Sequence, residues 1–183
     1  MARASRLSTR VLLTCAAIGV ATGIMAAVGS WLTPLVIASV PIVYGVVLGV
    51  HVLPGIIAQE ALRLPWVALL THLMAALVGA AMAPHWALRF IGTALLFGGI
   101  QELVAAATRY RVWQAWRFFI SAVILGGIIA FVVAMVADLG SLAPWAQATY
   151  LIVSVLGPVA WTAAGLAVGR GLRRAGVAQA IAR

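Results

Sequence analysis

Lysine is absent from this 183-residue chain and acid is nearly so: Glu60, Glu102 and Asp138 stand against twelve arginines. Charged residues make up 8% of the chain and hydrophobic residues 65%, whereas soluble domains carry about 25% charged residues. A chain of this size has too little interior to hide that much apolar surface, so the surplus is expected to face lipid. The lone Cys15 lies inside an apolar run, which excludes an intrachain disulfide and says nothing of redox compartment. There is no Gly-rich phosphate loop ending in Lys-Ser or Lys-Thr, and no HExxH, GxSxG or CxxC. ATP hydrolysis by the phosphate-loop route is thereby excluded, and no nucleophile–base set can be assembled. His51, His72 and His85 are too scattered to form a metal signature. No catalytic residue, metal or cofactor is expected, and the chain is read as a non-enzyme. Proton-driven carriers bury several carboxylates; with three acids, two of them at predicted helix ends, self-powered pumping is poorly supported. The net charge of +9 would suit nucleic acid if it were gathered into a patch. Here the arginines sit singly or in small groups between apolar runs, so no nucleic-acid partner is expected.

What is present is a series of apolar runs separated by turn residues. They predict an all-α integral membrane protein, a bundle of six transmembrane helices forming one membrane domain over residues 1–183. The spans are placed at Val11–Val28, Val40–Ala58, Trp66–Met82, Leu88–Ala107, Phe118–Ala137 and Thr149–Val168, each near the 20 residues that cross a bilayer. Open sheets are excluded, because lipid offers no partner for an unpaired backbone group. Pro34 and Pro41 bracket the first interhelical stretch, and Ser30 to Ser39 is placed where a lid over an outer site would lie. Pro65 marks the start of the third helix, Pro84 its end, and Asp138, Gly140 and Pro144 the fifth loop. Pro54 and Pro158 fall inside spans and are expected to kink them.

With both termini in the cytoplasm, Arg3, Arg6, Arg10, Arg63, Arg109, Arg111, Arg117, Arg170, Arg173, Arg174 and Arg183 all lie inside and only Arg89 outside. The opposite topology reverses this bias, so the positive-inside rule selects the first and places the chain in a bacterial cytoplasmic (inner) membrane. Trp31, Trp86 and Trp145 form one interfacial belt in this arrangement, and Trp66, Trp113 and Trp116 the other. A cleaved leader is the rival reading of the first segment, since Arg10 precedes an apolar run ending at small residues around Ala26, Ala27 and Gly29. Removing it leaves an odd number of spans.

Glu102 is the most informative residue, a carboxylate within the apolar Gly98-Gly99-Ile100-Gln101-Glu102-Leu103. Acids in lipid face a cavity or a partner. Either Glu102 and Gln101 hydrogen-bond a polar ligand, or Glu102 pairs with Arg109 or Arg111. His72 in the third span is a candidate contact, with satisfied interhelical bonding as the alternative; His51 and His85 are put below it. Arg89 is read as a lipid-headgroup anchor or the holder of an anionic group, Asp138 as a loop cap or a contact for a cationic one. Trp31, Tyr44 and Trp161 offer flat aromatic faces, and Trp161 lies well inside a span. Cys15, Gly19, Gly23 and Ala27 form a stripe of small side chains on the first helix, suited to close packing within the bundle or docking to a separate membrane partner.

The segment Phe90 to Trp113, FIGTALLFGGIQELVAAATRYRVW, resembles the corresponding stretch of YkoE-type S-components, the substrate-binding subunits of energy-coupling factor (ECF) transporters. Leu7-Ser8 leading into Gly19-x-x-x-Gly23, Tyr44-Gly45, Ala75-Ala76-Leu77-Val78 and Gly165-Leu166-Ala167-Val168-Gly169-Arg170 followed by Ala175-Gly176-Val177 are similar to the same family, in the same order. The resemblance implies a six-helix subunit that captures a vitamin, thiamin or its hydroxymethylpyrimidine precursor, and leaves the energy to a transmembrane coupling protein and two ATPase subunits. Gly19 and Gly23 would dock to the coupling protein, and Glu102 would contact an aminopyrimidine. Carboxylates that relatives carry in the third helix, near His72 and Gly79 here, are missing. A self-sufficient secondary carrier and a non-transport membrane assembly protein are the competing readings.

Overall fold

The structure, a computed structural model, describes residues 8–136, 140 and 142–177. Asp138, Arg3, Arg6 and Arg183 lie outside the described residues. Seven α-helices occur among them: α1 (Thr9–Ser39), α2 (Tyr44–Gly49), α3 (Leu53–Leu62), α4 (Val67–Met82), α5 (Ala87–Ala107), α6 (Ala115–Val136) and α7 (Pro144–Arg174). Helices satisfy every interior backbone group within the segment, which the apolar composition requires. Five stretches are long and apolar enough to cross a bilayer: Thr9–Ser39, Pro41–Leu62, Pro84–Ala107, Ala115–Val132 and Pro144–Arg174. The 16-residue α4 is shorter, about 24 Å at helical rise. Leu13, Leu35, Leu77, Leu88, Leu103, Phe131 and Met135 are exposed around the bundle, the outer surface of a multi-pass membrane protein.

The helices depart from the expected spans in three places. Ser30 to Ser39 is helix rather than a loop, so no lid stands there: α1 runs on through Pro34. Only the bond from residue 34 is lost, while the Ser30 and Thr33 hydroxyls bond back to Ala26 and Gly29 carbonyls within the helix. The second span, Pro41–Leu62, is one helical stretch whose α-helical bonding is interrupted by a 3-10 turn. Pro54 lacks an N–H and lies in the first turn of α3, a position that tolerates this. The preceding Val50–Val52 turn tightens to 3-10 geometry, with Leu53 N–H donating to the Val50 carbonyl. The last span extends from Pro144 to Arg174, with Pro158 inside it.

α1 packs along α4, α4 along α5, α6 along α7, and the α2–α3 rod against α7. Glycine sets two of these crossings. A Cβ at Gly45 would lie 2.5 Å from Ser154 Cα, one at Gly49 2.6 Å from the Gly157 carbonyl carbon, and one at Gly157 would collide with the Gly45 carbonyl. On α1, a Cβ at Gly19 would lie 2.7 Å from Met74 Cβ and one at Gly23 2.6 Å from the Ala75 carbonyl; Cys15 and Ala27 are wholly buried. The stripe Cys15, Gly19, Gly23 and Ala27, read as suited to packing within the bundle or to docking a partner, is buried, and Gly19 and Gly23 lie in the α1–α4 seam. Small residues let two backbones approach, and here both backbones belong to this chain.

The two ends of the bundle differ. Arg63, Arg109, Arg111, Arg117, Arg170, Arg173 and Arg174 collect at one, where the buried Glu60 meets Arg173 at 2.7 Å, Arg63 at 3.8 Å and Arg170 at 4.0 Å. Trp31, Tyr44, His85, Trp86 and Arg89 stand at the other. Gly157→Ala is expected to lower the melting temperature in detergent, since forcing a methyl between packed backbones costs about 1–3 kcal/mol. Gly92, with nothing within 4 Å of its missing Cβ, should accept alanine with no loss or a small gain. Equal shifts for the two variants would contradict the α2–α7 contact.

Candidate functional site

Two connections at the arginine-rich end are turned by residues with left-handed backbones, Arg63 (φ 53°) and Trp66 (φ 67°) between α3 and α4, and Arg109 (φ 51°) and Tyr110 (φ 56°) between α5 and α6. Among the described residues these are the non-glycine positions with positive φ, and such conformations persist only when neighbours hold them. Glu102 does the holding. Its Oε1 accepts from Ala68 N–H at 2.8 Å, and its Oε2 from Trp66 N–H and the Tyr110 hydroxyl, both at 3.1 Å. Gln59 Nε2 approaches Oε1 at 3.4 Å. Residues 66–68 open α4, where N–H groups lack intrahelical partners and the helix dipole favours an anion. The carboxylate is thus a cap supplied by another helix, and it bonds neither Arg109 nor Arg111 among the described residues. Burial first, then the charge and hydrogen bond of Glu102, pushes the Tyr110 hydroxyl up to about 12, so it stays a donor. Arg117, 1% exposed, donates to Gln59 Oε1 at 3.2 Å and lies over the Trp113 ring at 4.7 Å, a cation on an aromatic face.

One residue earlier, Gln101 points toward the other end. Its Nε2 donates to the Val52 carbonyl at 3.0 Å, in the 3-10 turn of the second span, and its Oε1 meets His72 Nε2 at 3.0 Å. Gly55 makes room, because a Cβ there would collide with Gln101 Oε1. With the amide oriented by Val52, His72 Nε2 is the donor and its Nδ1 the acceptor of the neutral ring.

Beyond His72 lie two small adjoining cavities. The inner one is lined by Thr22, His51, Pro54, His72, Phe90 and Thr93 among others, and the outer by Ser30, Thr33, His51, Trp86, Arg89 and Thr93. Each has room for about one water molecule; this is a closed form. The Thr22, Ser30 and Thr33 hydroxyl protons bond carbonyls of their own helix, which leaves their oxygens as acceptors. His51 makes no hydrogen bond among the described residues, and its ring stands 6.3 Å from both Phe90 and Phe97. At the rim, Arg89 donates to the Tyr44 hydroxyl and lies 4.8 Å over Trp86, and Trp31 meets His85 edge-on at 5.4 Å.

The structure thus divides the residues singled out from sequence. His72 and Arg89 line the cavities, Tyr44 holds Arg89, and Gln101 orients His72. Glu102 is engaged in capping α4, because the orphan N–H groups at residues 66–68 occupy both its oxygens. Trp161 donates its indole N–H to the Val46 carbonyl at 2.8 Å, anchoring α7 to α2 away from the cavities. Trp31 is a rim residue, 63% exposed. His51, ranked below His72 from sequence, lines both cavities. Thr22, Phe90 and Thr93 were not singled out at all; a polar hydroxyl within an apolar run was the only signal. Gln59 was not singled out, and Arg117 was counted for topology alone.

A family model described as "ABC-type cobalt transport system, permease component" matches residues 10–129, and the chain belongs to that family. A solved structure described as the crystal structure of an S-component of an ECF transporter is similar in fold, with a TM-score of 0.80 and 18% identity over 94% of this chain and 89% of that one. No curated protein matches. The family and the fold are those of transport components.

Glu102→Gln should destabilise the folded chain by about 2–4 kcal/mol, because an amide N–H₂ then faces buried donors; thermal unfolding in detergent measures it. Tyr110 loses its proton later in the folded state, at about 12, than at the ordinary value of 10. The folded state therefore retains a proton that the unfolded chain releases. That stability is complete below pH 10 and declines as pH rises from 10 to 12. The melting temperature of Tyr110→Phe should fall less over this interval than that of the parent; identical slopes would remove the bond to Glu102.

Proposed function

We propose that the chain is the membrane-embedded substrate-capture subunit of an ATP-driven vitamin importer, with thiamin or its hydroxymethylpyrimidine precursor as the ligand. The observation that carries this reading is the pair of small cavities that meet at His51, with His72 and Phe90 in the lining and an aromatic rim with a single arginine. Apolar walls with a few convergent polar groups suit a small planar heterocycle once the helices part to admit it. A neutral His51 would offer one donor and one acceptor to ring nitrogens and an exocyclic amine, and His72, whose Nε2–H is given to Gln101, one acceptor. The contact to the aminopyrimidine that resemblance gave to Glu102 passes to His51 and His72.

The chain crosses the bilayer six times with both termini in the cytoplasm. The arginine-rich end then faces inward, in keeping with the positive-inside rule, and Arg89 and the cavity rim face outward. This orientation supports α4 as a full crossing, since α4 runs parallel to α1 and joins the two ends. Energy comes from partners, a transmembrane coupling protein and two ATPase subunits, because the chain carries no phosphate-binding loop. The small-residue stripe being internal, the coupling protein meets the opposite face of α1, where Leu13, Val20 and Ile24 are exposed. The membrane is a bacterial cytoplasmic membrane.

The family description names cobalt. Divalent transition metals are usually held by three or more nitrogen, oxygen or sulfur ligands, and no group of three or more such side chains occurs among the described residues. The donor set suits an organic ring better. Calorimetry of the purified chain against thiamin, hydroxymethylpyrimidine, other water-soluble vitamins and Co²⁺ tests the reading. Saturable binding of a pyrimidine, weakened about tenfold or more in His72→Leu, and co-purification with ATPase subunits are expected. Binding of Co²⁺ alone, or of no ligand, would contradict it.

A further inference from the structure

We propose that the cavity selects against positive charge, so that the uncharged hydroxymethylpyrimidine is preferred over thiamin, and that Arg89 sets this preference. The inference rests on the reading of the ligand as a pyrimidine and goes on to choose between its two forms. The two molecules share the aminopyrimidine ring, whereas thiamin adds a second ring with a permanent cationic nitrogen. Whatever discriminates between them must therefore recognise that charge or that bulk.

The charges around the cavity are unequal. Arg89 lines the outer cavity together with Ser30, Thr33, His51 and Thr93 and brings a positive charge to it. Its partners among the described residues, the Tyr44 hydroxyl and the Trp86 ring, are both neutral and do not cancel that charge. The two acids among the described residues are committed at the opposite end, Glu60 to three arginines and Glu102 to the α4 amides and Tyr110. The remaining polar lining consists of hydroxyls and imidazoles. Repulsion between like charges disfavours a cationic ligand beside Arg89, and at an exposed rim that salt can reach it is open to screening. Size acts in the same direction. The closed cavities hold about one water molecule each, and admitting one ring demands less separation of α1, α4 and α5 than admitting two.

The test is calorimetry on the full chain in detergent with hydroxymethylpyrimidine and thiamin, on the parent, Arg89→Gln and Arg89→Lys. The parent should bind hydroxymethylpyrimidine at least about tenfold more tightly than thiamin. Arg89→Gln should bring the ratio to within about threefold, while Arg89→Lys preserves it. Should Arg89→Gln not fold, raising the salt concentration on the parent must improve thiamin relative to hydroxymethylpyrimidine, as screening predicts. Thiamin binding as tightly as hydroxymethylpyrimidine to the parent would overturn the inference and leave the vitamin reading standing. A ratio unchanged in Arg89→Gln, or by salt where that variant is lost, would overturn the role of Arg89. Binding of neither molecule would remove the vitamin reading and this inference together.

Discussion

A carboxylate inside an apolar bundle has to be met by donors, and the way Glu102 is met organises half of this molecule. Its oxygens take the N–H groups of Trp66 and Ala68 and the hydroxyl of Tyr110. The start of α4 is thereby capped from α5, and the two loops with left-handed residues are drawn to one point. Charge-assisted bonds of this kind are stronger than neutral ones and oppose the cost of the four strained backbones. The same anchoring fixes the rotation of α5. Gln101, the adjacent residue, then reaches Val52 and His72, which holds the histidine at the wall of the inner cavity.

A second constraint is the missing N–H of Pro54. The turn before it, Val50–Val52, tightens to 3-10 geometry, and Gln101 supplies a donor to the Val52 carbonyl. Non-α backbone at membrane depth is tolerated where protein buries it or a cavity adjoins it, and both hold here. The close crossings at Gly45, Gly49 and Gly157 keep α2 against α7. The cavities thus lie beside a helix whose bonding changes at His51, and Arg89 is the charged residue among their lining.

Much of this was legible in the chain. Apolar runs and arginine placement located the helices, and α5 begins and ends within a residue of its expected bounds. The singular acid in α5 was visible too, but its partners were not. Backbone N–H groups of another helix carry no residue signature, so Glu102 read as a ligand contact or an ion-pair member. The glycine stripe of α1 gave no indication of which backbone it meets, because spacing reveals a smooth face and not its neighbour. Pro34 marked a loop by local rules, whereas the surrounding apolar residues kept the helix intact. That His51 lines both cavities was not legible, because its position follows from the 3-10 turn before Pro54. The similarity in fold to an S-component accords with the resemblance read from Phe90 to Trp113, while the choice of ligand depends on the cavity.

Glu102 acts as a clasp between two loops. Hydrogen exchange at the amides of residues 66–70 and 108–114, compared between the parent chain and Glu102→Gln in detergent, tests this most directly. Trp66 and Ala68 should be protected in the parent, and both segments should lose protection together in the variant. Free exchange at those amides in the parent, or loss of protection in one loop without the other, would contradict the clasp.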